Sequence, residues 1–184
     1  MAALIIMVAS TIVFVRLLII ISAVEPALLS AAGPPIGVIL AVMSVTSLIY
    51  WRISKKEAAE LPPQGNPSEL KAALIFAALY AIILVAVAAA RERFGSSGVF
   101  VVTILSGLTD MDAITLSLSE MVQRKQISPD FGWRLIVTGA LSNLVFKAGA
   151  VAILGSRRLL ARIAVLFSIA LATGLAVALF WPRP

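Results

Sequence analysis

Six long apolar runs constrain the fold of this 184-residue chain more than any other feature. A membrane-spanning helix needs about 20 consecutive apolar residues, whereas a transmembrane β-barrel needs shorter segments in which apolar and polar residues alternate. The runs in this chain are continuous and therefore predict helices. They are Leu4–Val24, Pro35–Trp51, Leu70–Ala90, Gly98–Ser119, Leu135–Leu154 and Ile163–Trp181.

The composition leaves no material for a soluble domain beside these runs. Hydrophobic residues make up 61% of the chain and charged residues 13%, against roughly half and a quarter in soluble proteins. The sequence therefore predicts an all-α protein, a polytopic membrane bundle of about six transmembrane helices. Residues 1–184 are expected to form a single integral membrane domain, with the lipid bilayer as its first partner.

The absence of cysteine and histidine limits the chemistry of the chain. No disulfide or thiolate metal site can form, and the commonest general base is missing. We therefore expect no enzymatic activity and no resident cofactor. Any bound metal would need oxygen ligands, which favours hard divalent cations such as magnesium. The net charge of +6 indicates topology and contact with anionic lipid rather than nucleic-acid binding.

The basic residues of the connectors predict the orientation. Six crossings would place both termini on one side, and that side would carry more basic residues than the other. Since basic residues accumulate in cytoplasmic loops, both termini are expected in the cytoplasm. The basic residues of that side are Arg52, Lys55, Lys56, Lys71, Arg124, Lys125, Arg134 and Arg183, and those of the other side are Arg91, Arg93, Arg157, Arg158 and Arg162.

Four charged residues lie well inside the predicted spans, away from the span ends: Arg16, Asp110, Asp112 and Lys147. An ionised side chain at the centre of a membrane helix costs about 2.5–3.5 kcal/mol on insertion scales. The predicted spans bring all four to similar depths, so we expect at least one aspartate to pair with Lys147 or Arg16. Two interpretations remain open, namely an ion or substrate path and ion pairs that hold the helices in register.

The segment SGLTDMDAITLSLSE, residues 106–120, places its two aspartates two positions apart. On a regular helix they would lie about 200° apart and could not face one partner. Either helices surround this span, or it breaks near Gly107, as midplane helices of transporters often do. The candidate ion or substrate pathway consists of Asp110, Asp112, Ser106, Thr109, Thr115, Asn143, Lys147 and Arg16, with Asp110 and Asp112 as candidate metal ligands.

Three motifs, NPSEL, SGLTDMDAITLSLS and ALSNLVFKAG, resemble the uncharacterised C-terminal hydrophobic domain of MgtC/SapB-type bacterial inner-membrane proteins. The resemblance covers nearly the whole chain and implies the bacterial inner membrane and magnesium-linked physiology. It singles out, by position, Asn66, Pro67, Gly107, Asp110, Asp112, Thr115, Ser142, Asn143 and Lys147, with Ser10 and Arg16 in the first span.

Relatives of this type tend to carry one more span before the equivalent of Leu4. Either a partner supplies this span, which would be a second membrane chain or a second copy, or the ancestral function has been lost. Two functions fit these observations. The first is a transporter or channel-like protein for a hard divalent cation such as magnesium. The second is an accessory or structural subunit of a larger membrane complex. An intramembrane aspartyl protease is disfavoured because both aspartates lie on one span.

Overall fold

The computed structural model describes residues 1–54, residues 98–182 and a few positions between 74 and 89. No strand occurs among these residues, which confirms the all-helical class. The predicted span Leu70–Ala90 lies mostly outside the described residues, and its described positions are helical. The helices with defined bounds are α1 (Ala2–Val24), α2 (Pro26–Ser54), α3 (Val99–Thr109), α4 (Met111–Gln123), α5 (Pro129–Leu154) and α6 (Arg157–Phe180).

Four of these helices, α1, α2, α5 and α6, are long and apolar enough to cross a membrane. A helix rises 1.5 Å per residue, so the 23 residues of α1 reach about 35 Å, more than a hydrocarbon core of about 30 Å. Helices α3 and α4 have 11 and 13 residues and reach only about 17 and 20 Å. The described part of the chain therefore contains four of the six predicted crossings.

The helix boundaries follow local chemistry. Ser128 and Ser156 cap α5 and α6, because each side-chain oxygen accepts a hydrogen bond from a backbone N–H of the first turn. Glu25 alone separates α1 from α2, which starts with a proline. The predicted start of the second span at Pro35 was wrong, since α2 continues through Pro34 and Pro35. Membrane-type helices tolerate such prolines when neighbouring helices supply alternative hydrogen-bond partners.

Helix α3 runs along α5 in the same direction as α5. Near its middle, Thr103 packs on Gly139, and near its end the carbonyl of Leu108 accepts a hydrogen bond from Asn143. The contacts thus advance along both helices together.

Helix α4 runs along α5 in the opposite direction. Its first residue, Met111, packs on Gly139, and Val122 near its end packs on Gly132. Because α3 and α4 run in opposite directions along the same neighbour, they fold back on each other. The bend is Asp110, whose backbone is extended (φ −137°, ψ 98°). The predicted span Gly98–Ser119 is therefore not one straight helix: it divides at Asp110, close to Gly107, into two helices that form a hairpin, hereafter the α3–α4 hairpin.

Hydrogen bonds show which helix ends lie together at one end of the bundle. Gln123, the last residue of α4, donates from Nε2 to the carbonyl oxygen of Val24 at 2.8 Å. Arg134, in the second turn of α5, donates from Nη2 to the carbonyl oxygen of Trp181 at 2.9 Å and from Nη1 to that of Ala178. The ends of α1, α4 and α6 therefore meet at one end of the bundle.

The first and last described residues consequently lie at opposite ends. Met1 precedes α1 and Trp181 follows α6, and both helices run towards the shared end. The prediction that both termini share a side does not fit this arrangement, because it counted residues 98–119 as a crossing. The comparison of basic residues between the two sides depended on the same alternation and loses its basis.

Cysteine labelling tests this arrangement in a chain without native cysteine. We expect Glu25→Cys and Gln126→Cys to react with an impermeant maleimide from the same side, because the α1–α2 and α4–α5 turns line one pocket. Arg158→Cys, at the start of α6, should react only from the other side. Six alternating crossings would instead place Glu25 and Gln126 on opposite sides of the membrane. Labelling of the two cysteine variants from opposite sides would therefore contradict the fold.

Candidate functional site

The bend of the α3–α4 hairpin is held by the carboxylate of Asp110. Its Oδ1 accepts hydrogen bonds from the backbone N–H groups of Asp112 and Ala113, both at 3.0 Å. These N–H groups open α4 and have no partner within the helix. Asp110 is therefore the N-cap of α4, and the partial positive charge of that helix end favours its negative charge.

A cap substitution isolates this role. Asp110→Ala should lower the free energy of unfolding by about 1 kcal/mol, because two N–H groups lose their acceptor. Asp110→Asn keeps a capping oxygen without the charge and should retain most of the stability. Chemical unfolding in detergent, followed by circular dichroism, measures both losses. Equal losses in the two variants would contradict a capping role.

Helix α5 satisfies the other side of the bend. Asn143 donates from Nδ2 to the carbonyl oxygens of Gly107 at 3.0 Å and Leu108 at 3.2 Å. Ser142 donates from Oγ to the carbonyl oxygen of Ile104 at 2.7 Å. The last carbonyls of a helix have no internal partner, and in an apolar medium each unmet group costs several kcal/mol. Asn143 therefore allows α3 to end inside the bundle, and Ser142 adds a contact to α3 one turn earlier.

The α3–α5 contact at this level is a direct approach of two backbones. A Cβ atom on Gly107 would lie 2.6 Å from the carbonyl oxygen and 2.7 Å from the Cα of Gly139. No real Cβ contact is that short, so position 107 has no room for a side chain. This approach brings the Gly107 and Leu108 carbonyls within reach of Asn143.

Arg16 and Asp112 form an ion pair between α1 and α4. The distance from Arg16 Nε to Asp112 Oδ1 is 2.7 Å, and the side chains are 54% and 41% exposed. This contact confirms the prediction that one of the aspartates pairs with Lys147 or Arg16, but the pair is half-exposed and not enclosed inside the bundle as predicted. Asp112 also lies in the first turn of α4, where a negative charge is favourable.

Lys147 has a weaker polar environment. Its Nζ lies 3.4 Å from the Oγ of Ser10, which is 1% exposed. Among the residues that the structure describes, no carboxylate lies within ion-pair distance of Lys147. Lys147 is seven residues from the end of α5 at Leu154, well inside the helix.

A cleft of about 410 Å³ lies beside Lys147, between α1, the end of α3 and α5. We call it the Lys147 cleft. Its polar lining is Ser10, Thr109, Asn143 and Lys147, and the remaining lining is apolar: Ile6, Ala9, Leu108, Phe146, Ala150 and Val151.

Comparison with known proteins places the sequence in a family. The profile described as "Domain of unknown function (DUF4010)" matches residues 1–155. The chain belongs to the DUF4010 family. The matched residues include α1 to α5 and hence every candidate site residue.

A curated relative of this DUF4010 chain is described as an uncharacterized protein of Aquifex aeolicus (strain VF5). The two are 37% identical over 94 residues, which are 51% of this chain and 41% of the relative. The match thus covers less than half of the relative's length. No solved structure matches the chain. The resemblance to the MgtC/SapB-associated domain stays a prediction, because these comparisons reach only the DUF4010 family.

The predicted site residues of the DUF4010 chain separate into three groups. Thr109, Asn143 and Lys147 line the cleft, and Asp110 follows Thr109 at the bend. Arg16 and Asp112 form the ion pair. Ser106 and Thr115 are 7% and 0% exposed and line neither described pocket; their hydroxyl oxygens have no hydrogen-bond partner among the described atoms.

The candidate metal ligands are engaged with other groups. Oδ1 of Asp110 is occupied by two backbone N–H groups, and Asp112 is paired with a guanidinium. In the described ranges, no cluster of three or more acidic side chains could hold a metal ion. The positive charge of Arg16 beside Asp112 would compete with a cation for that carboxylate. A metal site at Asp110 and Asp112 stays a prediction from the sequence, without support from these contacts.

Proposed function

We propose that this DUF4010 chain is a membrane transport domain whose solute site is the Lys147 cleft. The observation that carries the proposal is the α3–α4 hairpin, whose bend lies beside a cleft that contains the half-buried ammonium group of Lys147. In a bilayer the hairpin would be a re-entrant segment, with both ends at one side. The bacterial inner membrane implied by the sequence resemblance is the expected location.

Non-helical backbone at membrane depth supports this function. Such backbone is tolerated where it is buried in protein or lines a water-filled cavity, and transporters use interrupted helices to build midplane sites. Here Thr109 precedes the bend and lines the cleft, while Asn143 holds the end of α3 and also lines it. The interruption between α3 and α4 therefore lies at the wall of the Lys147 cleft, and Asn143 belongs to both.

The energetics of Lys147 support a wet or occupied cleft. An ammonium group inside a membrane helix costs about 2.5–3.5 kcal/mol when it lacks compensation. One hydroxyl at 3.4 Å compensates little of this cost. Water or a solute in the cleft would supply the missing contacts, and a transport path needs such a hydrated site.

Flux into proteoliposomes tests the proposal. Wild type should accelerate the entry of at least one small ion from a panel of chloride, short carboxylates, magnesium, manganese and calcium. Lys147→Met should abolish that acceleration, because it removes the charge in the cleft. Lys125→Met is the matched control, since Lys125 lies in the exposed α4–α5 turn, far along α5 from the cleft.

The outcomes separate the candidate functions. Flux that survives Lys147→Met unchanged would overturn the assignment of the cleft. Divalent-cation flux that is lost in Asp110→Asn with Asp112→Asn would instead support the magnesium hypothesis. No flux for any solute, together with stable copurification with a larger membrane complex, would favour the accessory-subunit function.

A further inference from the structure

We propose that the Lys147 cleft binds an organic monocarboxylate, held by Lys147 and Ser10 with its carbon chain against the apolar lining. This inference rests on the proposed transport function, for which it names the class of substrate. It follows from the charge balance of the cleft, the available hydrogen-bond donors and the shape of the lining.

The charge balance favours a monoanion. The charge of Arg16 is compensated by Asp112 at 2.7 Å, and that of Asp110 by two N–H groups at the start of α4. Among the charged residues of the described part, Lys147 is the one that lines the cleft. A single carboxylate would neutralise the single ammonium, whereas a multivalent anion would keep uncompensated charge, and a cation would be repelled.

The donors fit a carboxylate. Ser10 Oγ can accept from Lys147 and still direct its own proton into the cleft, since a hydroxyl is both a donor and an acceptor. Thr109 already donates to the carbonyl oxygen of Ser106, and Asn143 donates to α3. Lys147 and Ser10 therefore form a two-point site, which matches the two oxygens of one carboxylate.

The apolar lining selects an acid with a carbon chain. Ligand sites of about 300–1,000 Å³ hold whole small molecules, and the cleft measures about 410 Å³. A chloride or phosphate ion is too small to cover the apolar lining of the cleft, for example Leu108 and Val151. The carbon chain of a monocarboxylate would cover them and contribute about 0.8 kcal/mol for each buried methylene. The same carboxylate could come from a small water-soluble acid or from a fatty acid of the bilayer.

Binding to the full chain in detergent tests this inference. Hexanoate and oleate serve as probes for the two sources, hexanamide is the uncharged control, and sodium chloride and sodium phosphate are the inorganic controls. We expect hexanoate to bind wild type at least ten-fold more tightly than hexanamide or either inorganic anion. Lys147→Met should weaken hexanoate binding at least ten-fold without affecting hexanamide, Lys147→Arg should retain it, and Lys125→Met should leave it unchanged.

Each outcome is decisive. Binding of oleate with no binding of hexanoate, provided that Lys147→Met abolishes it, would assign the carboxylate site to lipid and remove the small acid as a substrate. Unchanged carboxylate binding in Lys147→Met, or stabilisation by magnesium but by neither carboxylate, would overturn the inference. Hexanoate binding without flux would leave this site valid and refute transport, whereas cation flux without carboxylate binding would refute this inference alone.

Discussion

Gly107→Ala should destabilise the chain by about 3 kcal/mol, the upper part of the range for overpacking a well-packed interior. The added methyl group would meet backbone atoms of Gly139 at 2.6, 2.7 and 2.9 Å, and a backbone cannot move aside as a side chain can. The α3–α4 hairpin would have to move away from α5, and Asn143 would lose the carbonyls of Gly107 and Leu108. Thermal unfolding in detergent and protease sensitivity of the hairpin measure the loss.

Gly149→Ala provides the matched control on α5, because within the described ranges no atom beyond the adjoining backbone of α5 lies within 4 Å of the methyl group that it would add. Alanine also has the higher helix propensity, so this variant should equal or exceed wild type in stability. Gly139→Ala should fall between the two, since its methyl group would meet the flexible side chain of Met111 at 3.3 Å. A Gly107→Ala variant as stable as Gly149→Ala would contradict the close α3–α5 approach.

Asp112→Asn should lower the free energy of unfolding by about 1–2 kcal/mol, since Arg16 would remain charged within the apolar helix α1 without its partner. The value lies below the full insertion cost because both side chains are about half exposed. In an Arg16→Met background the same substitution should cost much less, because no charge is left unpaired. A double-mutant cycle measures this coupling.

Glu120 and Arg124 provide a control cycle. They form an exposed i,i+4 pair at 3.5 Å on α4, and such surface pairs contribute about 0.3–0.5 kcal/mol. The Arg16–Asp112 coupling should exceed theirs at both low and high salt. Strictly additive losses for Arg16 and Asp112 would show that their proximity contributes nothing to stability.

Hydropathy and capping signals predicted much of the fold. The apolar runs around Arg16, Lys147 and Thr173 correspond to α1, α5 and α6, because a membrane-spanning helix needs a long apolar run. The helices α5 and α6 begin earlier than predicted, at Pro129 and Arg157, because their first turns are polar. Pro34 and Pro35 misled the prediction for α2, since proline ends most soluble helices but is tolerated in a bundle of this kind.

Hydropathy could not predict the α3–α4 hairpin. Residues 98–119 form one apolar run of the length of a crossing, and hydropathy sums are insensitive to a bend in the middle. Asp110 was the available local signal, since aspartate is a preferred N-cap and two N–H groups of α4 bind it. That signal was interpreted as a buried charge, because the same residue type serves both purposes.

The sequence predicted residues of the candidate site but did not predict which of them lie together. The expected pairing of an aspartate with a basic residue succeeded because Arg16 lies well inside α1 and the bend brings the first turn of α4, with Asp112, to the same level of the bundle. Which aspartate forms the ion pair depends on the bend. Asp110 lies at the bend and caps α4, whereas Asp112 lies in the first turn of α4 and contacts Arg16. The apolar lining of the Lys147 cleft, including Leu108 and Phe146, could not be distinguished in the sequence from lipid-facing residues.

The opposite positions of Met1 and Trp181 determine where any domain attached to either end would lie. Helices α1 and α6 both run towards the end of the bundle where Val24 and Trp181 lie, so Met1 and Trp181 lie at opposite ends. In a bilayer, a domain fused before Met1 and a domain fused after the last helix would therefore face different compartments. One unit of this kind could join a sensor on one face of a membrane to an effector on the other, and reporters fused to its two ends should give opposite signals.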